Sequence, residues 1–246
     1  TTGVASALAT GLGAFPVAWI HNRSKAVEAF AAAVAGGMMI SASVFSLMQK
    51  GISLEHVRPS APYEVIAGLF LGALFFWAAE RFVEGPILHS GRLGVSRRGL
   101  LVWLAMTIHS IPEGVAIGVG FATGDFQFGL VMALAISIHN IPEGIAVSLP
   151  LRAEGASIPK CAVASILSSA PQPIMAVPAA LAVWLFQPLL GLGLGFAGGA
   201  MIYLVVDELI PTALEQGSRT LISWGVMIGL GLMLLLTTLL DLIGGV

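Results

Sequence analysis

The chain reads as long apolar blocks separated by short polar breaks. A helix crosses a bilayer's hydrocarbon core with about 20 apolar residues, each rising 1.5 Å. Eight such blocks cover residues 3–20, 26–48, 63–83, 99–123, 127–151, 158–184, 189–213 and 220–244. Polar and turn residues mark the breaks: His21 to Lys25, Gln49 to Pro62, Glu84 to Arg98, Gly124-Asp125, Arg152 to Ser157, Gln187-Pro188 and Glu215 to Arg219. Spans four and five are joined by little more than a turn, which predicts antiparallel helices in contact. The pattern predicts an all-α membrane protein of eight transmembrane helices, with residues 1–246 forming one membrane domain.

Composition agrees. The 246 residues are 57% hydrophobic and 10% charged, with a mean hydropathy of +0.95. Soluble domains carry about 25% charged residues. A net charge of -2 gives no reason to expect nucleic-acid binding. The single cysteine, Cys161, excludes an internal disulfide and any Cys-x-x-Cys metal motif.

Charge sets an expected orientation. The loops joining spans 1–2, 3–4, 5–6 and 7–8, with the span ends beside them, hold Arg23, Lys25, Arg81, Arg92, Arg97, Arg98, Arg152, Lys160 and Arg219. The opposite side holds Lys50 and Arg58. Basic residues concentrate on the cytoplasmic side, so both termini are expected outside the cytoplasm and the chain is expected to be multi-pass in the plasma membrane, the inner membrane of a bacterial cell.

Two internal repeats appear. Ala35-Gly36-Gly37-Met38-Met39-Ile40 in span two resembles Ala197-Gly198-Gly199-Ala200-Met201-Ile202 in span seven. The two spans run in opposite directions, the signature of an inverted repeat, although small residues also recur in ordinary helix-packing seams. A stronger repeat joins Ile108-His109-Ser110-Ile111-Pro112-Glu113-Gly114 to Ile138-His139-Asn140-Ile141-Pro142-Glu143-Gly144. An axis in the membrane plane would relate spans one to three with six to eight, and four with five.

The second repeat carries chemistry. His109 and Glu113 are four residues apart, as are His139 and Glu143, so each helix presents an imidazole and a carboxylate on one face. The span midpoints fall near residues 111 and 139, which predicts mid-bilayer depth. A carboxylate there is costly unless it is paired or lines a wet cavity. Two carboxylates and two imidazoles on adjoining helices form a cluster that a divalent cation would neutralise. The donor set suits zinc and its first-row neighbours, and suits calcium or magnesium poorly. Pro112 and Pro142 remove a backbone donor and clash with the carbonyls of Ile108 and Ile138, so a kink is expected beside the ligands. A lone membrane histidine is commonly a helix-to-helix hydrogen-bond partner, but two identical His-x-x-x-Glu steps favour a metal or proton site. An enzyme is not expected. The His-Glu-x-x-His helix of a metalloprotease is absent, and the Glu-x-x-His order of di-metal bundles differs.

These two motifs, with the eight spans and the extracytoplasmic termini, resemble the ZIP (Zrt-, Irt-like) family of metal transporters in its compact prokaryotic form. The resemblance implies a 3+2+3 bundle with inverted repeats, with spans four and five carrying the site. It implies that His109, Glu113, His139 and Glu143 bind the transported ion, with a thioether from span two nearby, for which Met39 is the choice. The implied activity is transport of a divalent transition metal into the cytoplasm by alternating access, with one helix group rocking against the other. Zinc is the first choice, with cadmium, iron and manganese as alternatives. The ion, Zn2+ or Cd2+, is substrate, and no catalytic cofactor is expected. Some family members hold a second ion, and the corresponding positions here are Ser110, Asn140 and Gln172. None brings a charge, so a weak second site at most is expected. The His-rich loop of eukaryotic members is absent; only His89 lies between spans three and four.

Asp207 and Glu208 lie toward the cytoplasmic end of span seven and correspond through the first repeat to Phe45 and Ser46. They are expected to line the exit path, and Glu80 and Arg81 to be interface charges. Protonation and metal binding are expected to compete for the carboxylates. Two other functions stay open: a metal-selective channel with the same ligands, and a non-transporting membrane metal sensor. The bilayer and the metal ion are the expected partners, and a homodimer is left open.

Overall fold

A chain in lipid has no water to satisfy its amides, so apolar blocks of this length become helices whose backbone bonds close internally. The computed structural model describes residues 2–20, 25–56, 58–84 and 97–244, and among them there is no strand. The helices are α1 (Thr2–Leu12), α2 (Ala14–Ile20), α3 (Lys25–Ser41), α4 (Gln49–Ile52), α5 (Ala61–Glu84), α6 (Arg97–Ala122), α7 (Phe126–Ala153), α8 (Ile158–Ser168), α9 (Pro171–Leu185), α10 (Leu189–Leu204), α11 (Ile210–Gln216) and α12 (Arg219–Gly244). A π-helical segment, Ala42–Met48, joins α3 to α4, and a second, Val205–Leu209, joins α10 to α11.

Seven helical stretches among the described residues are long and apolar enough to cross a membrane; the expected first span is a shorter apolar helix, Thr2–Ala18, interrupted at Gly13. Span two continues past residue 48 through α4, and span six divides at Ser169-Ala170, ahead of Pro171. His89, Arg23 and Arg92, and the side chains of Glu80, Arg97 and Arg98, lie outside the described residues.

α6 continues through Pro112, and α7 through Pro142 and Pro150. Irregular turns fall at the two π-helical segments. There one extra residue per turn loosens the i to i−4 ladder, a feature common at functional sites.

The helices sort into two groups. In one, α6 packs on α9 and α1 on α7, with α8 against α1 and α7. In the other, α5 packs on α10, and α3 on α12 and α11. The groups meet chiefly where α6 touches α10 and α3 touches α7. The two dominant pairings of each group exchange when spans 2 and 7, 3 and 8, 1 and 6, and 4 and 5 are interchanged, as an inverted repeat requires. Glycine contacts repeat the pattern. A side chain on Gly37 would strike the Val226 carbonyl, and one on Gly199 would strike that of Leu69. Likewise Gly144 abuts the Thr10 carbonyl and its counterpart Gly114 abuts that of Gln172. Ala35 and Ala197, Gly37 and Gly199, and Thr10 and Gln172 share one numerical shift (197 − 35 = 162). Such backbone-close seams are how small residues hold helices together in lipid, where apolar burial alone drives no association.

Candidate metal centre

His139 and Glu143 project from the middle of α7, and Glu113 from the facing part of α6. His139 is fully buried and its Nε2 lies 3.0 Å from Glu113 Oε1 and 3.8 Å from Glu143 Oε1. One ligand atom from each of Glu113, His139 and Glu143 falls within 4.8 Å of the other two. The three residues come from two helices, and the contact of Gly114 and Gly144 with neighbouring carbonyls brings α9 and α1 up against them.

The structure sets His109 apart from this trio. It is also buried, but its Nε2 lies 3.0 Å from Glu208 Oε2, on the π-helical segment of the other helix group. The ring of Phe76 packs on His109 with centroids 5.3 Å apart. Glu208 therefore sits at the edge of the centre, closer in than an exit-path role alone requires. Asp207 beside it is exposed. Met39 is fully buried in the core shared by both groups, in the same cluster as its repeat counterpart Met201 and as Ile117, Met132 and Ile136.

The three neutral polar residues are engaged with protein groups. The Gln172 side-chain amide donates to Glu113 Oε2. Asn140 Nδ2 donates to Gln172 Oε1 at 3.1 Å and to the carbonyl and hydroxyl of Ser6 at 3.0 and 3.1 Å. Ser110 donates to its own helix, at the Met106 carbonyl. A link Glu113–Gln172–Asn140–Ser6 thus ties the carboxylate to three further helices. Sequence reasoning missed Ser6 and Phe76 entirely. The resemblance pointed to Gln172 as a neutral position of a weak second site, without revealing its bond to Glu113.

Four buried atoms at the centre make no hydrogen bond to another protein group: Nδ1 of His109, Nδ1 of His139, Oδ1 of Asn140 and Oε1 of Glu143. An unsatisfied buried acceptor costs about 1–3 kcal/mol, and a charged one more. A carboxylate oxygen left without a partner, with a second carboxylate and the imidazole Nε2 that faces both, is what a dication of zinc's preferences would coordinate.

Two cavities flank the centre. One, of about 150 Å³, is lined by Met106, Pro142, Ile145, Glu208, Thr212 and Gln216. It comes within one helical turn of both His109 and Glu143. The other, of about 490 Å³, lies between the helix groups near Lys50 and Asp125. Its innermost residue on α7 is Val131, eight residues before His139, or about 12 Å along the helix. Fully buried Met132, Ala135 and Ile136 fill that interval. The centre is thus near one cavity and sealed from the other.

The model of the ZIP zinc transporter family matches residues 89–237. The zinc transporter GufA of Myxococcus xanthus is 39% identical over 236 residues, covering 90% of this chain and 92% of the relative. The chain belongs to the ZIP family. The zinc transporter ZIPB of Bordetella bronchiseptica, another ZIP protein, is 35% identical over 250 residues, covering 97% of this chain and 80% of the relative. Bovine zinc transporter ZIP11 is 48% identical over 144 residues, covering 56% of this chain and 42% of that longer protein. ZIP membership and the apolar helices make this chain an integral membrane protein of metal-ion transport.

Proposed function

We propose that this ZIP protein imports a divalent transition-metal ion, zinc first, into the cytoplasm, and that Glu113, His139 and Glu143 form the core of its transport site. The reading rests on one observation: three buried ligand atoms from two helices converge within 4.8 Å, with a carboxylate oxygen of Glu143 left without a hydrogen bond. The zinc transporters among its relatives and the nitrogen-oxygen donor set favour zinc over harder cations. Cadmium, iron and manganese remain alternative substrates.

His109 completes the site in this reading, and Met39 contributes a soft donor from α3. His109 pairs with Glu208 one helical turn from Glu113, so it hands the ion from the trio toward the 150 Å³ cavity, where Glu208 and Asp207 lead it out. The basic residues beside that cavity's end of the bundle, among them Lys25, Arg152, Lys160 and Arg219, favour its facing the cytoplasm. Both termini then lie outside, and the arrangement corresponds to the inward-facing limb of an alternating-access cycle. Gln172 and Asn140 serve to hold Glu113 in place, and any second ion near Ser110 binds weakly. The chemistry is movement of an ion through exchange of its ligands, with no covalent bond of a substrate made or broken, so no enzymatic role is assigned.

The test is metal uptake by purified protein in proteoliposomes, comparing zinc, cadmium, iron and manganese. Saturable zinc flux is expected, lost in His139→Ala. Flux that persists in His139→Ala, or none in the parent protein, would overturn the assignment.

A further inference from the structure

The 490 Å³ cavity lies between the two helix groups, with Ser46, Gln49 and Lys50 on one wall and Asp125, Gln127 and Val131 on the other. Across it, Lys50 Nζ donates to Asp125 Oδ2 at 2.7 Å. The same ammonium lies 4.9 Å from the centre of the Phe128 ring, within range of a cation–π attraction. Lys50 belongs to α4, at the end of span two, whereas Asp125 and Phe128 begin α7, the helix that carries His139 and Glu143. Asp125 also caps α7, its Oδ1 accepting from the Phe128 N–H at 2.9 Å. One carboxylate therefore fixes the start of the site helix to its own cap and to the opposite helix group at once. Among the described residues, this pair and the His109–Glu208 hydrogen bond both join the groups, on opposite sides of the metal centre.

We infer that Lys50 and Asp125 form a latch that keeps the metal centre closed toward the 490 Å³ cavity, and that they must part before an ion can reach the centre from that side. The inference rests on the alternating-access reading above. Three features support it. The pair spans the two groups at the end where Met132, Ala135 and Ile136 seal the path. Its side chains keep 30% and 43% of their exposure, so water and ions in the cavity reach the contact and can break it. Its anchor is the cap of α7, so separating the pair frees the rigid helix that bears the ligands without unwinding it.

Ala135 packs across the seam on Met38, Ala42 and Met233 of the other group, which makes it a reporter of opening. In a Cys161→Ala background, Ala135→Cys is labelled by a membrane-impermeant thiol reagent added on the cavity side. Lys50→Gln and Asp125→Asn each remove the ion pair, and asparagine keeps the helix cap. Each is expected to raise the labelling rate roughly 2–5-fold, the range of a partly exposed ion pair. The double variant is expected to match Lys50→Gln alone, because Asp125→Asn removes only a contact already lost with Lys50. Unchanged rates, or effects that simply multiply, would overturn the latch.

A second measurement guards against misfolded variants. Lys50→Cys with Asp125→Cys, joined by a short reductant-cleavable bis-thiol crosslinker, is expected to stop zinc uptake and to regain it on reduction. Equal uptake before and after reduction would sink the proposal. If parent and reduced protein both fail to move zinc, the transport reading fails, while the labelling rates still decide the latch.

Discussion

His109 Nε2 lies 3.0 Å from Glu208 Oε2, although the motif places His109 one helical turn from Glu113 on the same face of α6. The first histidine of the repeat thus faces the opposite helix group, while its counterpart His139 bonds to Glu113. The sequence symmetry of the two motifs is broken in space. The break separates the roles of the four residues. Glu208→Gln is expected to leave equilibrium zinc binding by the detergent-solubilised protein within about threefold of the parent and to lower the maximal uptake rate about tenfold or more. Equal loss of binding and flux would place Glu208 among the primary ligands.

Gln172→Ala removes the amide that holds Glu113 Oε2 and leaves Asn140 short of an acceptor. Groups that orient metal ligands typically contribute 10–100-fold in affinity. A loss of about that size is expected in a zinc titration, with Gln172→Glu behaving differently because it adds an acceptor and a charge beside Glu113.

Gly144 touches the Thr10 carbonyl closely enough that no β-carbon fits without moving α1 away from α7. Gly144→Ala is expected to destabilise the protein by about 1–3 kcal/mol, the usual cost of forced overpacking. The readout is the thermal unfolding midpoint in detergent, beside Gly231→Ala as control, since nothing lies within 4 Å of a side chain added there.

The hydrogen bond from Lys50, reinforced by the Phe128 N–H, holds the Asp125 carboxyl below the usual carboxylate range. For a depressed carboxyl, the favourable contact is complete above the ordinary value and is lost only as pH falls through the lowered one. The labelling rate of Ala135→Cys, divided at each pH by that of a fully exposed cysteine to remove the fall in thiolate, is therefore expected to stay flat from neutral pH down through the ordinary carboxylate range, and to rise only in more acidic buffer. An increase already present near pH 6 would show that another group controls opening.

The helical membrane architecture was legible because lipid leaves a chain few ways to satisfy its backbone, so apolar block length alone predicts a span. The site helices were legible for a related reason. His109, Glu113, His139 and Glu143 are local pairs whose shared face follows from helix geometry, and their charge is hard to explain at mid-span without a partner. The inverted repeat was visible in six residues around Gly37 and Gly199, and the same shift of 162 extends to Thr10 and Gln172.

What the sequence by itself determined, then, is the set of helices, their opposed directions and the four residues whose chemistry fits a transition metal. Only the tertiary structure decided that three of them converge while His109 turns to Glu208, that Gln172 rather than a charged group restrains Glu113, and that Lys50 reaches Asp125. The physical reason is range. Periodicity and burial cost act within a helix and can be read from spacing, whereas these helix-to-helix contacts join residues 26 to 99 positions apart. The contacts of Glu113 depend on how α6, α7 and α9 pack within one group, and those of His109 and Lys50 on how the two groups lie against each other. Close glycine-to-carbonyl seams lock the helices inside each group, whereas the groups meet through the side chains of α6 on α10 and α3 on α7, and no local spacing encodes either.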